Sequence, residues 1–196
     1  MFPDLTRDDV FRIETARLWL RWPRAADVAA FARLASDVDV AGLATCLPQP
    51  FGAPEADDFV IGARRTNTQG RGLVLGLAPR NDPAALVGLV GVQTRGESAD
   101  LVLGYWLGRP YWGAGLMQEA IEAVLDMAFV LTDAGQIETP VRAGNVAARK
   151  VLLRCGFPVP EPTQADALAL IDRAAWLGAR AGAAGRIALP LAAAQL

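Results

Sequence analysis

Three apolar runs separated by turn formers dominate the middle of the chain. Leu73 to Ala78, Leu86 to Gln93 and Asp100 to Leu107 are each of strand length, with Asn81-Asp82-Pro83 and Arg95-Gly96-Glu97-Ser98 between them. That pattern predicts consecutive antiparallel strands. In the third run, alternation puts Leu101, Leu103, Tyr105 and Leu107 on one face and Val102, Gly104 and Trp106 on the other. A glycine at mid-strand, Gly104, predicts a bulge or a close backbone approach. From about Gly113 to Leu131 the period changes. Leu116, Ala120, Val124, Ala128 and Leu131 form one stripe, widened by Met117, Ile121 and Leu125, while Gln118, Glu119, Glu122 and Asp126 keep another side polar. This is the signature of a long amphipathic helix.

The flanks read the same way. Leu18 to Arg21 predicts a short strand after an irregular N-terminal segment, and Asp27 to Ala35 a helix. Ser36 or Asp37 caps a second short helix to about Ala44, and Pro54 suits the first turn of a third, to about Arg65. After the long helix, Gln136 to Val141 predicts a strand, and Asn145 caps a helix to Cys155. Gly156 followed by Phe157 matches a Schellman ending, with Phe157 packing back on the helix. A strand from Ala167 to Ile171, a helix around Ala174 to Arg180 and a strand from Arg186 to Leu191 complete the reading. No repeat or low-complexity linker divides the 196 residues, so a single domain over 1–196 is expected.

Composition narrows the chemistry by what is missing. The chain has no histidine, which removes Ser-His-Asp and Cys-His catalysis and histidine zinc sites. Ser36 and Ser98 are the only serines, and neither sits in a nucleophile elbow. Cys46 and Cys155 fit neither a disulfide framework nor a Cys-x-x-Cys pair, and with no export signal at the N-terminus a cytoplasmic location is expected. A net charge of -2 without a basic block argues against nucleic acid, and no apolar run is long enough to cross a bilayer. No metal is expected. A reaction whose substrate arrives already activated, such as a thioester, suits the short list of groups that remains.

The informative unit is strand, glycine turn, helix, from Leu101 to Leu131. Gly113 and Gly115 let backbone N–H groups converge at a helix start, where unpaired amides and the helix dipole favour phosphate. A Rossmann turn would need glycine at Gln118, and a Walker loop would need Gly-Lys-Ser/Thr, whereas the only lysine is Lys150. A turn that needs glycine for its geometry alone is the simpler alternative.

The whole unit resembles a known family. Gly104-Tyr105-Trp106-Leu107, Pro110, then Tyr111-Trp112-Gly113-Ala114-Gly115-Leu116-Met117-Gln118-Glu119-Ala120 is similar to the acetyl-coenzyme A motif of the GNAT acyltransferases, and most similar to the ribosomal-protein alanine N-acetyltransferase branch. Asn145 to Arg149 with Cys155-Gly156-Phe157, the opening Glu14-Thr15-Ala16-Arg17-Leu18-Trp19-Leu20-Arg21, and the closing Leu170 to Trp176 extend the resemblance over about residues 13 to 176. It implies an α/β (α+β) fold: a mixed, mostly antiparallel central sheet flanked by helices, with the strand near Leu103 splayed from the strand near Ile137.

The resemblance also implies acetyl-coenzyme A as the acyl donor. Its pyrophosphate would sit on the amides of Gly113, Ala114, Gly115, Leu116 and Met117, beside Trp112. Its pantetheine arm would lie like an extra strand against Tyr105, Trp106 and Leu107, with contacts from Asn145 and Ala148. A primary amine, of a protein N-terminus or a small molecule, would attack the thioester directly, in a monomer or homodimer. The chain departs from the family pattern at three places. A tyrosine acid seven residues after the asparagine is replaced by Leu152, a serine three after it by Ala148, and a glutamate two before the strand glycine by Val102. Asp100 is the nearest carboxylate on the Val102 face and is the candidate base; a solvated strand-end aspartate is the simpler alternative. A non-catalytic module that binds acyl-coenzyme A, and a structural domain that binds none, stay open beside the acyltransferase.

Overall fold

The computed structural model describes residues 1–44, 46–48, 50–96, 99–160 and 165–181. Among these described residues, seven strands form one sheet in chain order: β1 (Arg12–Glu14), β2 (Leu18–Arg21), β3 (Gly72–Pro79), β4 (Gly88–Thr94), β5 (Leu101–Leu107), β6 (Gln136–Val141) and β7 (Ala167–Asp172). Every neighbouring pair is antiparallel except β5 and β6. That exception follows from the connection, because α4 (Leu116–Leu131) carries the chain back to the start of the sheet before β6 begins.

The alternation in β5 sorts the core into two layers. Leu101, Leu103 and Leu107 join Ala120, Ile121, Val124 and Leu125 of α4 on one face, together with Leu152 of α5 (Val146–Arg154) and Trp176 of α6 (Arg173–Ala181). On the other face, Trp106 joins residues of α1 (Val28–Ala35), α2 (Val38–Ala41) and α3 (Ala53–Thr68). There Trp106 stacks on Phe31, with ring centroids 4.8 Å apart and 13° between planes. Helices therefore cover both faces, and strands buried on both sides carry long apolar runs, as β3 does.

Several expectations are refined by local physics. The N-terminal segment contains a strand, β1, which has only one apolar residue, Ile13, and exists because β2 offers it an edge. Helix α4 begins at Leu116 rather than Gly113, because Gly113 and Gly115 take φ of 77° and 74°, outside the helical region. Strand β4 starts at Gly88, two residues after the expected Leu86. Gly104 carries no bulge, since the β4–β5 register is unbroken. It allows a close approach: a Cβ there would stand 3.3 Å from Cys46 Cβ. Helix α2 is shorter than expected, ends at Ala41, and is capped by Asp37, whose side chain accepts from Asp39 N. The Schellman ending is present. Phe157 N donates to Leu152 O and Gly156 N to Leu153 O, and Phe157 is buried. The strand expected from Arg186 to Leu191 lies outside the described residues.

Candidate active site

The glycine turn is held from both sides. Toward β5, Trp112 Nε1 donates to Leu107 O at 2.6 Å, and the Arg109 guanidinium lies 4.7 Å from the Trp112 ring. Toward the N-terminal strands, Glu119 in the first turn of α4 accepts from Thr15 Oγ1 (2.6 Å), Arg17 N (2.8 Å) and Arg17 Nε (2.6 Å). Arg17 Nη1 also donates to Ala114 O at 2.6 Å. Burial pushes the Glu119 carboxyl up, but the bonds from Thr15 and Arg17 outweigh it and hold the group below the usual carboxylate range. The opening Glu-Thr-x-Arg motif is thus a bolt on the glycine turn, and Glu119 does more than complement the helix dipole. The first amide of the helix to find a backbone acceptor is Glu119 N, which donates to Gly115 O at 3.2 Å. Amides earlier in the turn have no helical carbonyl to serve and gather at the positive end of a 16-residue helix.

Beside this turn the sheet opens. Strands β5 and β6 pair only at Leu101↔Ile137 and Val102↔Glu138. From Leu103 onward they part, leaving the Tyr105–Leu107 edge beside a cleft of about 270 Å³. Its far wall is the start of α5, where Asn145 caps the helix by accepting from Ala148 N at 2.9 Å. Two bonds tie the mouth together: Asn145 Nδ2 to Leu43 O (3.4 Å) and Arg142 Nη1 to Gly42 O (2.9 Å). Tyr105, Trp106, Leu107, Trp112, Gly113, Gly115, Leu116, Met117, Asn145 and Ala148 all line this cleft. Ala114 is the one expected contact that does not line it. Sequence reasoning missed Val40 and Leu43, which reach the cleft from α2 and the loop after it, and Arg154, its cation, from the last turn of α5. Nothing in their local sequence marks them, because contacts distant in sequence, such as Arg142 to Gly42 and Asn145 to Leu43, bring these segments together.

The titratable groups divide into those at the cleft and those removed from it. Asp100 precedes β5 and accepts from Gln136 Nε2 at 3.0 Å, at the closed end of the strand pair. At a rise of about 3.3 Å per residue it stands roughly 13 Å from Gly104. Glu138 was not anticipated. It is the register partner of Val102, at the last paired position before the strands part. Ile137 points into the α4 side of the core, so Glu138 leaves the sheet on the opposite face, with Val102 and Gly104. Its side chain is 18% exposed and pairs with Arg95 at 3.1 Å.

Tyr105 supplies the only hydroxyl among the described lining residues, and burial pushes its phenol up, so it stays protonated. Burial also pushes the Cys46 thiol up to about 11 and the Cys155 thiol up to about 12. Neither cysteine is a thiolate at neutral pH, which is what nucleophilic sulfur requires. Leu152 is wholly buried in the core, not at the cleft wall. Among the described residues, no three His, Cys, Asp or Glu side chains gather as a metal site, and no helix is long and apolar enough to cross a membrane.

A mixed sheet opened at its one parallel pair, with a glycine turn and a helix start at the opening, is the acyltransferase architecture expected from the motifs. Residues 17–158 match the family model for the acetyltransferase (GNAT) domain, and the chain belongs to that family. No curated protein matches the chain. Among solved structures, it is similar to Mycobacterium smegmatis RimJ in complex with CoA-disulfide, at 23% identity and a TM-score of 0.65, over 84% of this chain and 89% of that one. The ribosomal-protein-S5-alanine acetyltransferase from Vibrio fischeri is 17% identical, with a TM-score of 0.69 over 85% and 98% of the two chains. RimL, a ribosomal L7/L12 alpha-N-protein acetyltransferase in complex with coenzyme A, is 17% identical, with a TM-score of 0.70 over 83% and 98%. Likeness at these identities establishes the shared fold.

Proposed function

We propose that this protein is an N-acetyltransferase that moves an acetyl group from acetyl-coenzyme A to a primary amine by direct attack, with no acyl group held on the enzyme. The observation that carries this reading is the cleft itself, an open strand edge running into a turn of unbonded amides at a helix start. These residues fit a coenzyme A. The amides from Gly113 to Met117 suit its pyrophosphate, with Arg17 beside the turn and Arg154 in the cleft as cations. The Tyr105–Leu107 edge and Asn145 suit the amide groups of the pantetheine arm. A thioester brings an acyl carbon already open to attack, which fits a site without a histidine or a thiolate nucleophile.

The chain's own residues then have two tasks. One is to take the proton from the amine, because an ammonium has no lone pair with which to attack. Glu138, ion-paired with Arg95, stands where the strands part and so lies nearer the opening than Asp100 at the closed end, which suits it to this role. The second is to steady the departing sulfur. Coenzyme A leaves as a thiolate of ordinary thiol pKa, so a hydrogen bond from the protonated Tyr105 phenol suffices. The similar ribosomal-protein acetyltransferases support a protein N-terminus as one class of acceptor. The test is thiol release from acetyl-coenzyme A across a panel of amines, read with the rise in melting temperature that coenzyme A produces. Binding without thiol release from any amine, even at high pH, would favour a non-catalytic acyl-coenzyme A-binding module instead.

A further inference from the structure

A second cavity, of about 400 Å³, lies on the other face of the sheet beneath α3. Its origin is a pair of missing side chains. Gly91 of β4 and Gly104 of β5 are register partners, and Val74 lies across from Gly91 on β3. A Cβ on Gly91 would stand 2.7 Å from Val74 Cα, so the floor can hold nothing larger there. Above, Phe59, Gly62, Ala63 and Thr66 line the cavity at helical spacing i, i+3, i+4 and i+7, and so form one face of α3. Gly62 faces open space: a Cβ there meets nothing within 4 Å. The cavity and the coenzyme cleft share a border. Gly104 lines one and Tyr105 the other, while Ala44 and Cys46 of the same loop line the cleft and the cavity respectively.

The lining is almost without polarity. Among the described lining residues only Cys46, Thr66 and Gln93 carry a polar side-chain atom, and none bears a charge at neutral pH. On the same face, the reading above assigns Glu138 to the reacting amine, and Asp100, at the closed end of the strand pair, accepts from Gln136. Neither lines the cavity, so among its described lining residues no carboxylate meets another cation. An extra charge carried into the cavity would be desolvated without a partner, which costs far more than any contact returns. The volume is that of a small-molecule site.

We infer that this cavity receives the body of the acceptor, and that the acceptor is a primary amine carried on an uncharged, apolar group, its nitrogen directed to Gly104. This inference rests on the acetyltransferase reading and narrows it. The shared chemistry has two sources, an apolar N-terminal residue of a peptide or a free monoamine. Leu-Gly-Gly amide and 2-phenylethylamine represent them, with spermidine and Lys-Gly-Gly amide as polycationic counterparts.

Two measurements on the intact chain test it. In thiol release, both apolar amines should exceed both polycations in kcat/KM by about tenfold or more; whichever of the two apolar amines leads identifies the source. In thermal shift, with coenzyme A present at saturation, 2-phenylethylamine should raise the melting temperature further and spermidine should not. Gly62→Leu fills the open space over the floor and improves helix propensity. It should leave the coenzyme A shift unchanged and remove the 2-phenylethylamine shift. Gly62→Glu supplies the missing carboxylate and should turn the preference toward spermidine. Loss of the coenzyme A shift in the wild type would overturn the acetyltransferase reading itself. An intact coenzyme A shift with equal or better handling of spermidine, or with amine shifts unmoved by both Gly62 variants, would overturn the inference.

Discussion

The two cavities, one lined by Gly104 and the other by its neighbour Tyr105, are built on opposite principles. The cleft beside the glycine turn is shaped largely by the course of the backbone. Its glycine turn, helix start and strand edge come from one continuous segment, Leu101 to Met117, whose amides are groups every residue carries, with Tyr105, Asn145 and Arg154 adding polar side chains. The cavity under α3 is made of side chains and their absence, drawn from α3, β3, β4, β5 and β6 and from the loop at Cys46. A backbone site tolerates wide change in side chains so long as two glycines keep their φ. A side-chain site can be altered by one residue without disturbing the fold. On the function proposed above, change on the donor side is limited by the two glycine φ values, whereas the acceptor side can change one residue at a time.

The sharpest test of that division is at the carboxylates. Glu138→Gln should lower kcat at neutral pH by about 10²–10⁴-fold, the usual cost of losing a general base. The loss should shrink as pH rises and free amine becomes abundant. Asp100→Asn should keep full activity. A large loss in Asp100→Asn with none in Glu138→Gln would move the base back to the closed end of the strand pair. Next in size is Gly115→Asp. The new side chain would occupy a residue at φ 74° with its Cβ 3.5 Å from Arg17 Nη2, so it would both repel phosphate and capture the nearby cation. Coenzyme A affinity should fall by about 100-fold or more, seen as loss of most of the thermal shift. Equal shifts in both proteins would remove the turn from the coenzyme site.

Glu119→Gln probes the bolt that holds the turn. It should cost about 1–3 kcal/mol of stability, the worth of hydrogen bonds to a charged group, and weaken coenzyme A as well. The sign with pH follows from the lowered pKa of Glu119. Its contribution is complete above the ordinary glutamate value of about 4.3 and is lost as pH falls through the lower folded value. Wild type and variant should therefore converge in acid, and a constant difference down to low pH would mean the carboxylate charge is not what bolts the turn. The smallest effect is expected from Tyr105→Phe, about tenfold in kcat with little change in coenzyme A binding. One hydrogen bond of about 1–1.5 kcal/mol is lost there, and the thiolate it serves is already stable.

Much of this molecule was legible before its fold was known, and the pattern of success is instructive. The Schellman ending at Gly156-Phe157, the Asn145 cap and the two faces of β5 were all readable, because each depends on residues within a few positions of one another. The glycine turn was readable for the same reason, and its two positive φ values moved the start of α4 to Leu116. What could not be read has contacts distant in sequence. The Thr15 and Arg17 bonds to Glu119 span about a hundred residues, and Arg142 reaches Gly42 across a similar distance. Asp100 is legible as a candidate base because it lies near Val102 in sequence. Glu138 is 36 residues from Val102 and became its neighbour only through the parallel β5–β6 register.

By itself, then, the sequence determined the order and type of most elements, the family, and the strand, glycine turn and helix that flank the cleft, since hydrophobic period, caps and glycine turns act locally and leave their mark in adjacent residues. Tertiary structure alone decided which carboxylate stands where β5 and β6 part, and that two glycines on neighbouring strands open a cavity under α3. Those depend on strand register, and register is set by the sum of packing on both faces of the sheet, which no short stretch of the chain contains.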